Sequence, residues 1–481
     1  MVLSRRVNRS AGILLGVVAL LARAEPGENG LALSVDCSKE LGEIRPLNGG
    51  NCGPLQGGGL VDLSTYLREL KMPYARLHDC HWPITDVVDI HTIFANFDAD
   101  ASRPESYDFR RTDDYLQSVA DIGSGIVYRL GESIEHTKRK YYVHPPKDYE
   151  KWAAICIGII SHCNEEWAGG SRRNIKYWEI WNEPENRPSM WSGTDEDYFK
   201  LYETTARAIK KRWPELKVGG PSLGYTGNLA NGKFQGGELL IKFIERCKER
   251  VIPLDFLSWH LYTDNPAECV VRAKGIRALL DQNGFTETEL HFNEWNYLPD
   301  NDWSPLGLKG QGEPREHFFE KLGGAKSAAF AACVLLNLQD SPVNVANYYM
   351  SDTNGFGLFT PNGVPRKTYY SFKAFRYLLE APLRVDAAGS RPSDCCICAG
   401  LNRDKSELRI LIANYRFNGQ PLTLQIQNIP WTVPSNFELF VVDDKHNLES
   451  VRHGVLSGEK IDLTGEISAG AVGLIKIQRS K

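Results

Sequence analysis

Strand-like and helical segments alternate along most of this chain, from about residue 40 to residue 372. Runs rich in β-branched and aromatic residues predict strands over residues 74–78, 125–130, 175–181, 217–220, 254–260, 289–294 and 344–350. Amphipathic stretches between them predict helices over residues 62–71, 113–122, 148–165, 196–212, 238–250, 267–282 and 318–338. Repeated strand–helix units of this number predict an α/β fold, with parallel strands closed into a (β/α)8 TIM barrel.

An open, doubly wound parallel sheet is the alternative fold for this alternation. Such a sheet often carries a glycine-rich phosphate loop directly after an early strand. The chain contains Gly57-Gly58-Gly59, but these glycines lack the spacing and the strand–helix context of that loop. The barrel is therefore the favoured prediction.

The strand–helix alternation ends at about residue 376, and a different sequence pattern follows. Short alternating runs at 408–413, 422–426, 437–442 and 472–477 are separated by Asn, Gly, Pro and Asp residues. This pattern predicts a C-terminal antiparallel β-sandwich. We expect a catalytic barrel over residues 40–375 and a sandwich over residues 376–481, which a strand at 31–36 would join.

Residues 1–24 have the pattern of an export signal. A basic start precedes an apolar run at 11–22 that is too short to span a bilayer, and Ala22-Arg23-Ala24 offers a small-x-small cleavage site. An uncleaved anchor or a disordered tail is the alternative. We expect a secreted or periplasmic protein, cleaved after Ala24, with no membrane insertion after cleavage.

Charge and cysteine content exclude several classes of partner. The net charge is only −4, and no long basic run follows the N-terminus, so nucleic acid and anionic membranes are not expected partners. The eleven cysteines are odd in number and scattered, which resembles no disulfide framework and indicates mostly buried apolar thiols. A cluster at Cys395-Cys396-Ile397-Cys398 lacks a second set of ligands. We predict no metal and no organic cofactor.

Two short motifs each place a glutamate at the end of a strand-like, aromatic-rich run. They are WEIWNEPENRP around Glu183 and HFNEWNY around Glu294. Catalytic groups of a TIM barrel lie where strands end and loops begin. Two carboxyl groups from separate strand ends are what glycosidic bond cleavage requires, one to protonate the leaving oxygen and one to attack the sugar carbon. The alternative for either glutamate alone is a structural ion pair.

The two carboxyl groups must differ in protonation. A general acid needs a pKa raised by burial and a neighbouring negative charge, whereas a nucleophile must stay ionised. Arg76, at the end of the run YARLH, is the candidate cation beside the nucleophile, because guanidinium does not lose its proton. A surface ion pair is the alternative for Arg76.

Other polar and aromatic side chains near strand ends are candidate sugar contacts. His78, Asp79, His260 and Tyr262 can form hydrogen bonds to hydroxyl groups, and core packing is the alternative. A metal site at His78, Asp79 and His81 is disfavoured, because residues 78 and 81 of a strand point to opposite faces. Indole rings can stack on sugar faces, although core packing is common. The tryptophans near the motifs are Trp178, Trp181, Trp191, Trp259, Trp295 and Trp303, and the predicted sugar contacts among them are Trp191, Trp295 and Trp303.

Eight stretches between about residues 43 and 375 resemble glycoside hydrolase family 39, which contains β-xylosidases and α-L-iduronidases. They are YARLH, PPKDYEKW, YWEIWNEPENRP, YFKLYETTARAIK, LKVGGPSLG, LDFLSWHLY, HFNEWNY and GFGLF. The Asn-Glu-Pro motif with a downstream glutamate occurs across a wider clan of barrel glycosidases. The KVGGP and SWHLY contexts are more particular to family 39.

The resemblance implies a retaining glycosidase with a C-terminal β-sandwich and a carbohydrate substrate. Glu183 would be the acid/base, Asn182 would hold the 2-hydroxyl of the sugar, and Glu294 would be the nucleophile. Arg76 and His78 match the family's Arg-x-His on the second strand, and His260 matches its histidine on the sixth.

The chain departs from the xylosidase pattern at Tyr348–Asp352 and in the segment after His78, where the terminal sugar would bind. The sugar, whether xyloside-, arabinoside- or uronide-like, therefore stays open. The alternatives to hydrolysis are a catalytically idle carbohydrate-binding protein and a transglycosylase with the same residues.

Overall fold

The computed structural model describes residues 30–56, 61–432, 434–456 and 458–480 of the chain. Eight parallel strands close into a barrel, which confirms the predicted (β/α)8 fold. The export signal predicted over residues 1–24 lies outside the described residues. In chain order, the eight barrel strands are Gly49–Asn51, Tyr74–Leu77, Gly125–Leu130, Tyr177–Ile180, Lys217–Leu223, Phe256–Thr263, Glu289–Tyr297 and Val345–Tyr348.

Helices occupy the chain between the barrel strands, as a strand–helix alternation requires. Asp148 caps one of them, because its carboxylate accepts the N–H of Lys151 at 3.1 Å. The helices of the described residues are Ser64–Leu70, Ile90–Ile93, Arg110–Asp121, Tyr149–Glu165, Asp195–Arg212, Glu238–Glu249, Glu268–Gln282, Glu313–Gly323, Ala325–Asn337 and Lys367–Leu378.

The first barrel strand was not predicted from the sequence. It contains only Gly49, Gly50 and Asn51, and these residue types have low strand propensity. Its glycines are needed for close packing, since a Cβ atom on Gly50 would lie 2.0 Å from the Ser351 hydroxyl oxygen. Packing against neighbouring strands, and not local preference, makes this segment a strand.

The helix predicted over residues 318–338 is two helices in the structure. Gly324 separates Glu313–Gly323 from Ala325–Asn337 with extended backbone at φ −83° and ψ 175°. Helix Lys367–Leu378 was not predicted, and it runs across the domain boundary expected between residues 375 and 376. Its aromatic residues lie on more than one face, with Tyr370 and Tyr377 only partly buried, which masks the helical pattern in the sequence.

Nine strands form a second sheet beside the barrel. The N-terminal strand Leu31–Glu43 belongs to it, pairing with the C-terminal strands Leu383–Ala388 and Leu422–Gln427. Apolar side chains from both halves of the sheet form one cluster, as in a sandwich. The other six strands are Cys395–Leu401, Glu407–Asn414, Ser435–Val442, Asn447–Val455, Lys460–Asp462 and Ala471–Arg479.

Helix Ala325–Asn337 joins the two parts of the molecule. It contacts both the seventh barrel strand and the second sheet, and all but two of its residues are buried. Cys333 donates its thiol hydrogen to the Ala413 carbonyl oxygen of the sheet at 3.2 Å. Burial of a helix on more than one face explains its nearly continuous apolar sequence.

All eleven cysteines are free and buried, in keeping with thiols that pack as small apolar groups. Within the part of the chain that the structure describes, no helix combines the length and the apolar character that a membrane crossing requires.

Candidate active site

Glu183 and Glu294 meet at the carboxyl end of the barrel. Glu183 follows the fourth strand, and Glu294 lies on the seventh. One oxygen of each carboxyl group and one ring nitrogen of His260 all lie within 4.8 Å of one another. This separation is close to the 5–5.5 Å of retaining glycosidases and shorter than the 6.5–9.5 Å of inverting ones. The pair can therefore act on one sugar carbon.

A buried arginine holds the Glu294 carboxylate. Arg76, on the second strand, donates from Nη1 to Glu294 Oε2 at 3.1 Å and from Nε to Glu179 Oε2 at 2.7 Å. Nη2 donates to Asn182 Oδ1 at 2.6 Å. Burial disfavours the charged guanidinium, but Glu179 and Glu294 outweigh this cost and raise the pKa of Arg76. Arg76 therefore fixes both the nucleophile candidate and the Asn182 side chain.

Further polar groups form hydrogen bonds with this arginine or with its partner Glu179. Arg76 also donates to Asn51 Oδ1 at 3.0 Å and to Ser222 Oγ at 2.8 Å. The Asn293 amide donates to the second oxygen of Glu179. Asn51, Ser222, Asn293 and Glu179 were not predicted as part of the site. A charged residue such as Glu179 within an otherwise apolar strand is the signal that could have revealed the network.

His260, on the sixth strand, lies between the two glutamates. Its Nδ1 is 2.8 Å from Glu183 Oε1, its Nε2 is 2.7 Å from Ser222 Oγ, and Nε2 is also 3.6 Å from Glu294 Oε2. Burial lowers the pKa of His260, but Glu294 and Glu183 outweigh that effect and raise it. The two carboxylates therefore favour the protonated, charged form of His260.

The pKa shifts of the two glutamates are the reverse of the sequence-based expectation. Burial raises the pKa of Glu183, but the His260 hydrogen bond and charge overcome this effect and lower it. Burial raises the pKa of Glu294, which His260, Arg76 and Tyr262 only partly counter. The prediction of a raised pKa at Glu183 was wrong for the protein alone, because it did not include an imidazole hydrogen-bonded to that carboxylate.

Tyr262 is the second hydrogen-bond donor to the nucleophile candidate. Its hydroxyl donates to Glu294 Oε1 at 2.6 Å, while Arg76 binds the other oxygen. Its ring packs edge-on to Trp303 with the ring centroids 5.0 Å apart. Burial and the nearby Glu294 charge raise the pKa of Tyr262 well above its usual range, so the hydroxyl stays a donor.

His78 and Asp79 lie at the end of the second strand on the opposite side of the cleft. The Tyr349 hydroxyl donates to Asp79 Oδ2 at 2.9 Å, and His78 Nε2 lies 3.4 Å from the same oxygen. Burial and the charges of Arg129 and Arg76 lower the pKa of His78 well below its ordinary value. A neutral imidazole beside a carboxylate is suited to binding sugar hydroxyl groups.

A cavity of about 540 Å³ opens above these groups. Several residues that line this cavity were not predicted as site residues, including Glu185, Tyr225, Tyr349 and Phe356. Burial and the charge of Glu183 raise the pKa of Glu185 to about 7. The predicted site residues that line this cavity are His78, Asp79, Asn182, Glu183, Tyr262 and Glu294.

Trp191 and Trp295 were predicted as sugar contacts, and the structure places both in the core. Trp191 donates its indole N–H to the Thr194 carbonyl oxygen at 3.0 Å and packs edge-on to Trp181. Trp295 points outward from its strand and packs edge-on to the Tyr348 ring. Neither lines the cavity, so these two assignments are corrected; the exposed tryptophan in the cleft is Trp303.

The backbone is strained where the catalytic candidates leave their strands. Glu183, Trp181 and Ser222 have φ values of 43°, 72° and 59°, in the left-handed region that residues with a Cβ rarely adopt. Such strain clusters at functional sites, where the surrounding contacts enforce it. Here the hydrogen bonds of Ser222 with Arg76 and His260 help to hold the Ser222 backbone in this conformation.

Two groups of residues have the composition of a metal site among the described residues. One is Glu183, His260 and Glu294, and the other is Asp89, His91 and Glu132. In each group a buried arginine already binds a carboxylate, Arg76 in the first and Arg129 in the second. A metal ion would have to compete with that fixed positive charge, so both groups are better suited to proton and hydrogen-bond chemistry.

Two curated relatives have similar sequences. A β-xylosidase of Geobacillus stearothermophilus is 30% identical over 273 residues, which are 49% of this chain and 48% of that protein. The chain therefore spans about half the length of this relative. A β-xylosidase of Caldicellulosiruptor saccharolyticus is 25% identical over 389 residues, covering 74% of this chain and 71% of that protein.

Solved structures with the same fold include two glycosidases. A glucosidase from Croceicoccus marinus has a TM-score of 0.77 at 24% identity and covers 94% of this chain and 99% of that one. A monomeric β-xylosidase from Caulobacter crescentus CB15 has a TM-score of 0.70 at 18% identity and covers 94% and 100%. The sequence profile of glycosyl hydrolases family 39 matches residues 61–307, about half of the chain. The chain belongs to glycosyl hydrolases family 39.

Proposed function

We propose that this protein is a retaining glycoside hydrolase that acts on a neutral sugar by double displacement. The observation that carries this proposal is the approach of Glu183 and Glu294 to within 4.8 Å across the mouth of a cavity. Membership of a family of glycosidases and similarity to two β-xylosidases support it. Glu294 is the proposed nucleophile, and Glu183 is the proposed acid/base.

In the first step a Glu294 oxygen forms a bond to the anomeric carbon. The bond from that carbon to the leaving oxygen breaks, and the leaving oxygen takes a proton from Glu183. In the second step Glu183 removes a proton from water, and the water oxygen attacks the same carbon. The ester bond to Glu294 then breaks and its carboxylate is restored. Two displacements at one carbon retain its configuration.

The reactive form needs a proton on Glu183 and a negative charge on Glu294. Arg76 and Tyr262 each bind one oxygen of Glu294, and such charge-assisted contacts favour the ionised carboxylate. His260, 2.8 Å from Glu183, is placed to share the proton that Glu183 gives up and regains. Because the pKa of Glu183 is lowered and that of Glu294 is raised in the protein alone, substrate binding would have to move the proton onto Glu183.

The charge of the cavity favours a neutral substrate over a uronide. Asp79, Glu183, Glu185 and Glu294 line it, and none of the described residues that line it is Lys or Arg. A sugar carboxylate would meet these acidic groups without a cation at the wall, and like charges at close range disfavour binding. Similarity to β-xylosidases supports a xyloside-like sugar.

A panel of chromogenic xylosides, arabinosides, glucosides and uronides tests the proposal, with proton NMR to identify the first anomer released. We expect cleavage of a neutral glycoside with retained configuration. Glu183→Gln and Glu294→Ala should each reduce turnover at least a hundredfold, in line with the 10²–10⁴-fold typical of acid–base catalysis. The matched control is Glu238→Gln, since this glutamate is exposed and does not line the cavity.

Three outcomes would contradict the proposal: release of the inverted anomer, activity confined to uronides, or full activity of either active-site variant. Product analysis also distinguishes hydrolysis from transglycosylation, because hydrolysis releases one free sugar for each leaving group.

A further inference from the structure

Glu185 follows the proposed acid/base by two residues, and neither step of the proposed reaction uses it. It lies in the same turn as Glu183, after the fourth barrel strand, and lines the same cavity. The turn is fixed by its own backbone, because the Asn186 N–H donates to the Glu183 carbonyl oxygen at 2.9 Å. The next side chain, Arg187, is paired with Asp195, with Nη2 and Oδ1 2.5 Å apart. The motif WNEPENRP therefore brings two carboxyl groups to this side of the cavity.

The four carboxyl groups that line the cavity differ in their hydrogen bonds. Both oxygens of Glu183, Glu294 and Asp79 have a partner in the protein. Glu185 has one partner, the backbone N–H of Tyr225, which donates to Oε1 at 2.8 Å. Its Oε2 is buried and has no hydrogen-bond partner among the residues that the structure describes. A buried, unpaired oxygen disfavours the ionised form, so Glu185 is the carboxyl group of this wall least suited to a negative charge.

The charges around Glu185 have the same effect as its hydrogen bonds. Burial and then the charge of Glu183 raise the pKa of Glu185 to about 7, and they outweigh the Tyr225 hydrogen bond and the charge of His260. The other titratable side chains of the cavity wall near this turn are His136 and Tyr225, and none of the described residues of the wall is Lys or Arg. Below about pH 7 Glu185 therefore carries a proton, whereas Glu183, with its lowered pKa, is ionised.

We propose that Glu183 and Glu185 share one proton and that Glu185 holds it until the leaving oxygen requires it. The proposal rests on the proposed function, because it takes Glu183 as the acid/base. In the first step the O–H bond of Glu185 breaks as an O–H bond forms on Glu183, which then gives this proton to the leaving oxygen. In the second step Glu183 takes a proton from water, and this proton returns to Glu185 after the sugar leaves. Glu185 acts through Glu183 and is therefore a positioning residue for the proton.

A shared proton keeps the protonated fraction of Glu183 constant over a range of pH. Between the two pKa values the pair carries one proton, and its division between the two groups depends only on their difference in proton affinity. Glu183 alone would lose its proton as the pH passed its own lowered pKa. With Glu185 beside it, the acid form persists until the pair loses its last proton near pH 7. The shared proton thus extends the alkaline range in which the acid can act.

The first test compares the pH profiles of kcat/KM for the wild type and Glu185→Gln. Glutamine has the same shape, and its amide oxygen can still accept the Tyr225 N–H, but it cannot store the proton. We expect the alkaline limb to move to lower pH by about one unit or more, the coupling at which two groups titrate as a pair. The acid limb should stay. Glu185→Asn, a second variant without a carboxyl group, should show the same shift, and Glu185→Asp should move the limb back toward the wild-type position.

The leaving group provides a second readout, measured on two glycosides of the sugar that the wild type cleaves. A 2,4-dinitrophenolate leaves without a proton, whereas a 4-methoxyphenolate needs one. At pH 7, Glu185→Gln should lower kcat/KM about tenfold for the 4-methoxyphenyl glycoside and leave the 2,4-dinitrophenyl glycoside nearly unchanged. A purely structural role of Glu185 would lower both values by the same factor. Circular dichroism checks that the variants fold.

Glu132→Gln is the matched control. Burial also raises the pKa of Glu132 to about 7, but its carboxylate lies 2.6 Å from His91 Nδ1 and does not line the cavity. Its alkaline limb should keep the wild-type position. The inference is overturned if the folded Glu185 variants keep the wild-type limb, or if both glycosides lose the same factor. A wild type that cleaves no glycoside of the chromogenic panel would instead overturn the proposed function, so the two failures are distinguishable.

Discussion

Arg76 and Glu294, from the second and seventh barrel strands, are joined by a buried hydrogen-bonded ion pair with Nη1 and Oε2 3.1 Å apart. The same guanidinium binds Glu179 through Nε at 2.7 Å, so two buried carboxylates share one cation. Removal of one member of a buried ion pair leaves an uncompensated charge. The arrangement therefore links the stability of the barrel to the geometry of its proposed nucleophile.

Arg76→Met should lower the free energy of unfolding by about 3–5 kcal/mol at pH 7, the usual cost of breaking a buried pair. It should also raise the pKa of Glu294 further, because burial already raises that pKa and Arg76 is one of the groups that oppose the rise. A folded carboxyl with a raised pKa loses stability as pH rises. The loss measured by urea unfolding should therefore be smaller at acidic pH than at pH 7.

The control for this experiment is Arg384→Met. Arg384 pairs with Asp340 at 2.7 Å, but the Asp340 side chain is largely exposed. Exposed pairs contribute at most about 1 kcal/mol. An equally small loss for Arg76→Met would show that the buried cation does not stabilise the site.

His260→Asn should move the whole pH profile of kcat/KM to higher pH. His260 lowers the pKa of Glu183 through a hydrogen bond and lowers that of Glu294 through its charge. Without it both values rise, so the nucleophile ionises at higher pH and the acid keeps its proton to higher pH. The acid limb and the alkaline limb, which report the groups of the free enzyme, should shift in the same direction.

A purely structural role of His260 would lower the rate and leave the two limbs where they are. Ser222→Ala provides a comparison, because it removes the Nε2 contact of His260 and keeps the imidazole. A profile of wild-type position in His260→Asn would contradict the coupled proton proposed here.

Tyr262→Phe should reduce kcat by about ten- to a hundredfold with little change in KM. The hydroxyl donates to Glu294 at 2.6 Å, and hydrogen bonds to charged groups contribute about 1.5–3 kcal/mol. Its loss should also raise the pKa of Glu294, so the acid limb should move to higher pH while the alkaline limb stays. Steady-state kinetics across pH would show this. Unchanged kcat would mean that the hydroxyl does not act on the nucleophile.

The sequence was sufficient to predict the barrel and the convergence of the two glutamates. Strand runs such as 125–130 reappear with the same bounds, and residues at the ends of parallel strands meet at one edge of a barrel. The first strand was missed because Gly49–Asn51 carries no strand signal of its own. Tertiary packing decides that segment.

The environment of the side chains was less predictable. Trp191 and Trp303 both occur in polar stretches, yet one is buried and the other faces the cleft. Their sequence contexts are alike, and the path of each loop over the barrel decides whether the ring is buried or exposed. The lowered pKa of Glu183 likewise depends on His260, which lies 77 residues away in the chain and meets it only in the folded barrel. Sequence patterns report strand ends well and contacts between loops poorly.

Trapping of the covalent intermediate tests the central claim most directly. A 2-deoxy-2-fluoro glycoside with a good leaving group slows both displacements, and its second step is slow enough to isolate the glycosyl-enzyme. Peptide mass spectrometry should then place one fluorosugar on Glu294, with Glu183→Gln forming the same adduct from the activated donor. A label on another residue, or a burst-free reaction with no adduct and an inverted product, would contradict the account.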